Sequence, residues 1–216
     1  MSIEPRHPWL DGRFAPVATL SDDERLLTFV AAHTAAGDLE ALQRAWRALA
    51  PTMQTLGIEV ILQTHLFAGY PRTINALGAV RPLTKALSTA SVWESRGEAT
   101  WRAEGTRLCH AIYGASYGPL RRRISELHVD LDRWMVEVGY GRVLSRPGPT
   151  ARVRELCVLA VLAGQNVAPQ LRSHIQGAFN VGASRADCEA VLAQTALLWG
   201  EAAQQQVDAV WRALAH

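Results

Sequence analysis

The sequence is short of several features that would each dictate an architecture or a partner. It holds three cysteines in 216 residues, Cys109, Cys157 and Cys188, widely spaced and without a CxxC. That number and spacing fit neither a disulfide framework nor a zinc ribbon. It has one lysine, Lys85, so nearly all of its positive charge is arginine, and 22 basic against 20 acidic side chains leave a formal charge of +2. So small an excess cannot drive nucleic-acid binding through phosphate neutralisation. The one dense basic run, Arg121-Arg122-Arg123, reads as a solvated helix face. The longest apolar run, Leu156 to Gly164, is about half of the roughly 20 residues a helix needs to cross a bilayer, so no membrane span is expected. Met1 to Arg13 mixes prolines, Trp9 and charges of both signs without the apolar stretch of a secretory signal, and the expected location is cytoplasmic. Runs that alternate β-branched and polar residues between turn signals are absent, which excludes a sheet protein. No HxxxH pair and no histidine near two acids at ligand spacing occurs, so no metal site is expected.

What remains is helical from end to end, in a chain that is 49% hydrophobic and 19% charged. After a lead from Met1 to Leu20, Ser21-Asp22-Asp23-Glu24 has the spacing of a capping box and predicts a helix through Ala35. Gly37-Asp38 ends it, and Leu39, Leu42, Ala45, Trp46 and Leu49 stripe a second helix that stops near Pro51. Ile58, Ile61, Leu62, His65 and Leu66 line a third, and Gly69-Tyr70-Pro71 punctuates before a fourth helical stretch that runs to about Ser95, with Gly78 and Pro82 as candidate breaks within it. The stretch from Gly97 to Thr150 interleaves aromatics with glycines, in Tyr113-Gly114, Tyr117-Gly118-Pro119 and Tyr140-Gly141, and reads as a helical connector. Arg146-Pro147-Gly148-Pro149 is the strongest break in the chain. Thr150 then caps a helix apolar nearly all round. Further helices end at Gly182 and at Trp199-Gly200, and a last one carries Val207, Val210, Trp211 and Leu214. Gln63-Thr64-His65-Leu66-Phe67-Ala68-Gly69 aligns with Gln194-Thr195-Ala196-Leu197-Leu198-Trp199-Gly200 at an offset of 131, which also sets Glu24 on Glu155 and points to an internal duplication.

Chemistry is concentrated in the second half. Glu155 lies on the flank of the most apolar helix, where a carboxylate must be paired, exposed at the helix start, or held in a cleft. His174 sits in mid-helix between Leu171 and Ala178, with Gly177 leaving open space on its face. At the same offset the first half has Gln43 in place of His174, so only the second half combines acid and histidine. Cys157 is two residues from Glu155, but i and i+2 on a helix point about 200° apart, so a pocket that holds one excludes the other. That makes Cys157 an inert packing residue in this reading.

The stretch Arg154-Glu155-Leu156-Cys157-Val158-Leu159-Ala160, followed by Gln170 to Ala183 with His174, Ala178, Gly182 and Ala183 in an H-x-x-x-A-x-x-x-G-A pattern, resembles the carboxymuconolactone decarboxylase family. The resemblance implies an all-α helical orthogonal bundle of two tandem alkylhydroperoxidase D-like repeats. Residues 21–96 would be a degenerate first copy, 97–149 the connector, and 150–216 the copy with the site. It implies Glu155 and His174 as catalytic residues, no cofactor, a small carboxylate as substrate, and homo-oligomers, with a trimer favoured. The peroxidase-like branch carries a CxxC before the histidine, and those two positions are Val167 and Gln170 here. Without two thiols a turn apart there is no route to an internal disulfide. The implied activity is therefore decarboxylation of a carboxylated lactone or keto acid, with thiol-dependent peroxide reduction and a non-catalytic role as the alternatives.

Overall fold

Ser21 caps the first helix as its spacing predicts. Its hydroxyl accepts from the Glu24 amide at 3.2 Å, and Glu24 reaches back to the Ser21 amide at 3.0 Å, which satisfies orphan donors at both ends of the box. The computed structural model describes residues 19–84 and 92–214, and of 195–197 the backbone alone. Most of the expected lead, the 85–91 part of the helix expected to reach Ser95, and the Thr195 side chain of the proposed repeat therefore lie outside the described residues.

Helix α1 (Asp22–Ala36) ends at Gly37 in the left-handed conformation, and Asp38 caps α2 (Leu39–Ala48). Helix α3 (Gln54–Val80) is two helices joined at a bend. Gly69 has φ 81 and ψ 166, a backbone state essentially confined to glycine, and Pro71 follows in the new first turn where its missing N–H costs nothing. The second arm passes Gly78 and stops at Val80 and a 3-10 turn, Arg81–Leu83, because Pro82 cannot continue it, so of the two candidate breaks Pro82 is the one used. Residues 97–144 are helical almost throughout, as α4 (Gly97–Tyr113), α5 (Tyr117–Leu127), α6 (Val129–Trp134) and a π-helical segment, Met135–Leu144, and residues 145–149 form the turn before the next helix. Helices α7 (Ala151–Leu162), α8 (Ala168–Asn180), α9 (Arg185–Trp199) and α10 (Glu201–Leu214) complete an all-α bundle without a strand among the described residues. None of the described helices is long and apolar enough to cross a membrane.

Helices α1 and α7 are the ones buried on every side, and they pack on each other at the centre. Helix α7 serves two cores at once. Val153, Cys157 and Val161, at i, i+4 and i+8, join α1, α2 and α3, whereas Leu156, Leu159 and Leu162 join α8, α9 and α10. The capped starts of α1 and α7, Ser21 and Thr150, lie 129 positions apart, two fewer than the 131 between Gly69 and Gly200. By helix position Arg25 therefore stands against Arg154 and Leu26 against Glu155, in place of the expected Glu24 to Glu155 match.

A third cluster, Leu108, Cys109, Ile112, Val136, Tyr140 and Leu144, forms where α4 crosses the π segment. Two glycines make that crossing possible. A Cβ on Gly105 would lie 2.1 Å from the Val136 carbonyl oxygen, and one on Gly141 would lie 2.0 Å from the Trp101 carbonyl oxygen. At the opposite end, Arg152 ties α7 to α1 and α9 through Glu24 at 2.9 Å and Asp187 at 3.0 Å. Burial by itself would raise the Asp187 carboxyl, but Thr19, the Ser184 amide and Arg152 together hold it below the usual carboxylate range.

Two outcomes follow from this packing. Gly141→Ala forces α4 off the π segment and should cost about 1–3 kcal/mol, read as a lower urea midpoint at unchanged m-value. Because the Asp187 carboxyl is depressed in the folded chain, its stabilisation is complete above the ordinary aspartate range and is lost as pH falls through the folded value. The Asp187→Asn variant should accordingly be less stable than wild type at neutral pH, with a gap that narrows on acidification, measured by thermal unfolding across pH.

Candidate active site

Glu155 projects from the α8 side of α7 and is 1% exposed; His174, in the middle of α8, is 6% exposed. Their side chains meet with His174 Nδ1 2.8 Å from Glu155 Oε2. An ionised carboxylate only accepts, so in this pair Nδ1 carries the hydrogen and the working nitrogen is Nε2. Gly177, one turn beyond His174, is what admits the carboxylate. A Cβ there would stand 3.0 Å from Glu155 Oε2 and 2.7 Å from Ile112 Cγ2, so the space expected beside the histidine is occupied, by the acid and by α4. Glu155 Oε1 is buried with no hydrogen-bond partner. Leaving such an oxygen unsatisfied costs free energy in the folded protein.

The histidine ring is walled by aromatics from other helices. Phe67, two residues before the bend of α3, meets it edge-on at 5.8 Å between centroids, and Tyr113, the last residue of α4, does so at 6.3 Å. Tyr140 on the π segment donates its hydroxyl to that of Tyr113 at 2.7 Å. Burial pushes both phenols well above their ordinary range, so both stay protonated donors. Sequence reasoning singled out neither tyrosine as a site residue. Its one trace of them was the aromatic–glycine pairing in Tyr113-Gly114 and Tyr140-Gly141, which marks a side chain beside a close backbone approach.

Other residues near the pair in sequence turn elsewhere. Arg154 is buried against α3, with Nη1 on Gln63 Oε1 and Nη2 on the Arg146 carbonyl, each at 2.9 Å; burial lowers its pKa to about 10. It pins the Arg146–Pro149 break to α3. Cys157 faces the α1 core, fully buried, and burial drives its thiol far up; the same cause raises Cys109 and Cys188 to about 12. None of the three has the exposed, cation-rich setting of a reactive cysteine. Val167 and Gln170, which cover the expected thiol positions, flank the start of α8. Within the basic run, Arg121 is not solvated but engages Asp132 and Tyr117, whereas Arg122 and Arg123 are exposed, and the charge of Arg123 reaches Tyr113. No three metal-ligating side chains gather among the described residues. A half-open groove of about 290 Å³ lies on a different face, bordered by Leu62, His65, Tyr70, Val138 and Arg142, and neither Glu155 nor His174 lines it.

Comparison with known proteins supports this region as the informative one. Residues 130–213 match the model of the carboxymuconolactone decarboxylase family. Two proteins named Peroxisomal protein 2 are distantly similar. The one from Schizosaccharomyces pombe is 26% identical over 151 residues, 68% of each chain. The one from Saccharomyces cerevisiae is 28% identical over 160 residues, covering 62% of this chain and 56% of the relative, little more than half its length. The family match takes in the π segment with Tyr140 as well as α7 and α8. The matched span, residues 130–213, holds both Glu155 and His174, so what this chain shares with the carboxymuconolactone decarboxylase family model includes the pair.

Proposed function

We propose that the chain is a carboxy-lyase that decarboxylates a small carboxylated lactone or keto acid without a cofactor, with Glu155 and His174 as its acid/base pair. The observation that carries this reading is the buried 2.8 Å contact between Glu155 Oε2 and His174 Nδ1, which commits one ring nitrogen and leaves Nε2 for chemistry. When CO2 leaves, the electron pair of the breaking C–C bond passes into the unsaturated ring and collects on an enolate oxygen. A protonated His174 then delivers the Nε2 hydrogen to carbon, and solvent restores it. Glu155 fixes the tautomer and stabilises the ring while it is cationic. A carboxylate substrate also calls for a cation beside it, and Arg123, exposed on α5 after Tyr113, is one candidate. The names of the two relatives record a peroxisomal association for those proteins and no reaction, so the chemistry rests on the site.

Residues 21–96 are, in the same reading, a degenerate copy. Leu26 occupies the helix position of Glu155, so that half has no acid to hold a histidine. The chain is read as acting in homo-oligomers, with a trimer favoured.

Purified protein should release CO2 from 4-carboxymuconolactone or from a small keto acid. His174→Asn keeps an N–H for Glu155 but lacks Nε2, and should lower kcat by about 10²-fold or more with a near-native melting temperature. His174→Ala should lose stability as well, by about 3–5 kcal/mol, because it strands a buried carboxylate. Absence of CO2 release by wild type across these substrates would sink the reading. Sedimentation equilibrium should return three chains per particle; a monomer at micromolar concentration refutes the trimer.

A further inference from the structure

The two tyrosines beside the pair share one hydrogen bond but own two protons. Tyr140, 5% exposed, spends its hydrogen on Tyr113. The hydrogen of Tyr113 has no acceptor among the described residues, and Tyr113 is the less buried member of the pair. The Tyr113 ring stands edge-on to His174 at 6.3 Å between centroids, which places Tyr113 beside the Glu155–His174 pair.

The surrounding structure holds that hydroxyl firmly. The Gly105 and Gly141 contact sets the separation of α4 from the π segment, and Tyr140 adjoins Gly141. The carbonyl of Ile112, next to Tyr113, accepts from Asn180 Nδ2 at 2.7 Å, which ties the end of α4 to the end of α8. Tyr113 and Tyr140 also pack edge to face at 5.8 Å. A neutral donor fixed in this way, polarised by a second donor behind it, is the arrangement that stabilises an oxygen as it gains charge.

We propose that Tyr113 is a further catalytic residue of this site, donating its phenolic hydrogen bond to the enolate oxygen that forms on the substrate, and that Tyr140 is the positioning residue that orients and polarises it. This rests on the decarboxylase reading for the identity of the oxygen. No proton leaves either phenol: the C–C pair moves to the enolate oxygen as CO2 departs, Tyr113 stays bonded to that oxygen, and the proton that quenches carbon comes from His174. The ligand class is therefore a small five-membered lactone or related ring bearing an enolate oxygen.

The test uses binding, without turnover. Tetronate, a lactone enolate stable at neutral pH, and γ-butyrolactone, its neutral saturated counterpart, are titrated into the full chain by calorimetry or ligand-observed NMR. Tyr113→Phe, which keeps the ring, should weaken tetronate binding by about tenfold or more and leave the neutral lactone unchanged. Tyr140→Phe should show the same discrimination at smaller size, and it carries the test if Tyr113→Phe does not fold. Equal loss of both ligands would make the tyrosines structural and overturn the proposal, as would undiminished tetronate binding in Tyr113→Phe or no tetronate binding by wild type. CO2 release is scored separately. A chain that binds tetronate through Tyr113 yet releases no CO2 keeps the enolate site and loses the decarboxylation; the reverse result keeps the reaction and removes Tyr113 from it.

Discussion

A carboxylate sunk into the central helix is the constraint around which the rest of this molecule is arranged. Glu155 has lost its water, and several kcal/mol of desolvation must be offset by partners that the fold supplies. His174 supplies one at 2.8 Å, which obliges α8 to cross α7 at a fixed register and obliges residue 177 to be glycine. The second oxygen, Oε1, is left without a partner. An apolar side chain at 155 would avoid both costs, so the acid is not there for stability. Leu26, five positions after the Ser21 cap of α1 as Glu155 is five after the Thr150 cap of α7, is such an apolar side chain and is buried.

The same economy explains the aromatic wall. Phe67, Tyr113 and Tyr140 come from α3, α4 and the π segment, so three separately folded elements must converge on one imidazole. Each is placed by a backbone feature close to it: the Gly69 bend two residues after Phe67, the Asn180 contact beside Tyr113, and the glycine crossing beside Tyr140. π-helical turns are rare and concentrate at functional sites, because the wider winding re-aims side chains that an α-helix would present elsewhere. Here it lies within the family match and carries Tyr140.

Local signals were legible wherever they involve near neighbours. The capping box at Ser21, the Thr150 cap, the break at Arg146–Pro149 and the all-round apolarity of α7 could each be read directly, since they depend on residues within one or two turns. The opposed directions of Glu155 and Cys157 were legible for the same reason, as helical geometry alone separates them. The choice between Gly78 and Pro82 as the break of α3 was left open, because either residue can interrupt a helix and only the structure shows that the chain passes Gly78 and stops at Pro82. The capped helix starts Ser21 and Thr150 do not share the 131-residue spacing of Gly69 and Gly200, and sequence matches between distant helices carry no information on such differences in the turns that join them.

By itself, the sequence determined that the chain is helical, where most helices start, which acid and which histidine are the candidates, and that a dithiol is absent at 167 and 170. These are properties of composition and of short spacing, which backbone geometry converts into structure without reference to the rest of the chain. Only the tertiary structure decided that Glu155 and His174 touch, that Arg154 turns away to Gln63, and that two connector tyrosines complete the wall. Those outcomes depend on how helices far apart in sequence cross. Crossings are set by volume at particular positions, above all by the missing side chains of Gly105, Gly141 and Gly177, and such absences acquire meaning only once the neighbouring helix is in place.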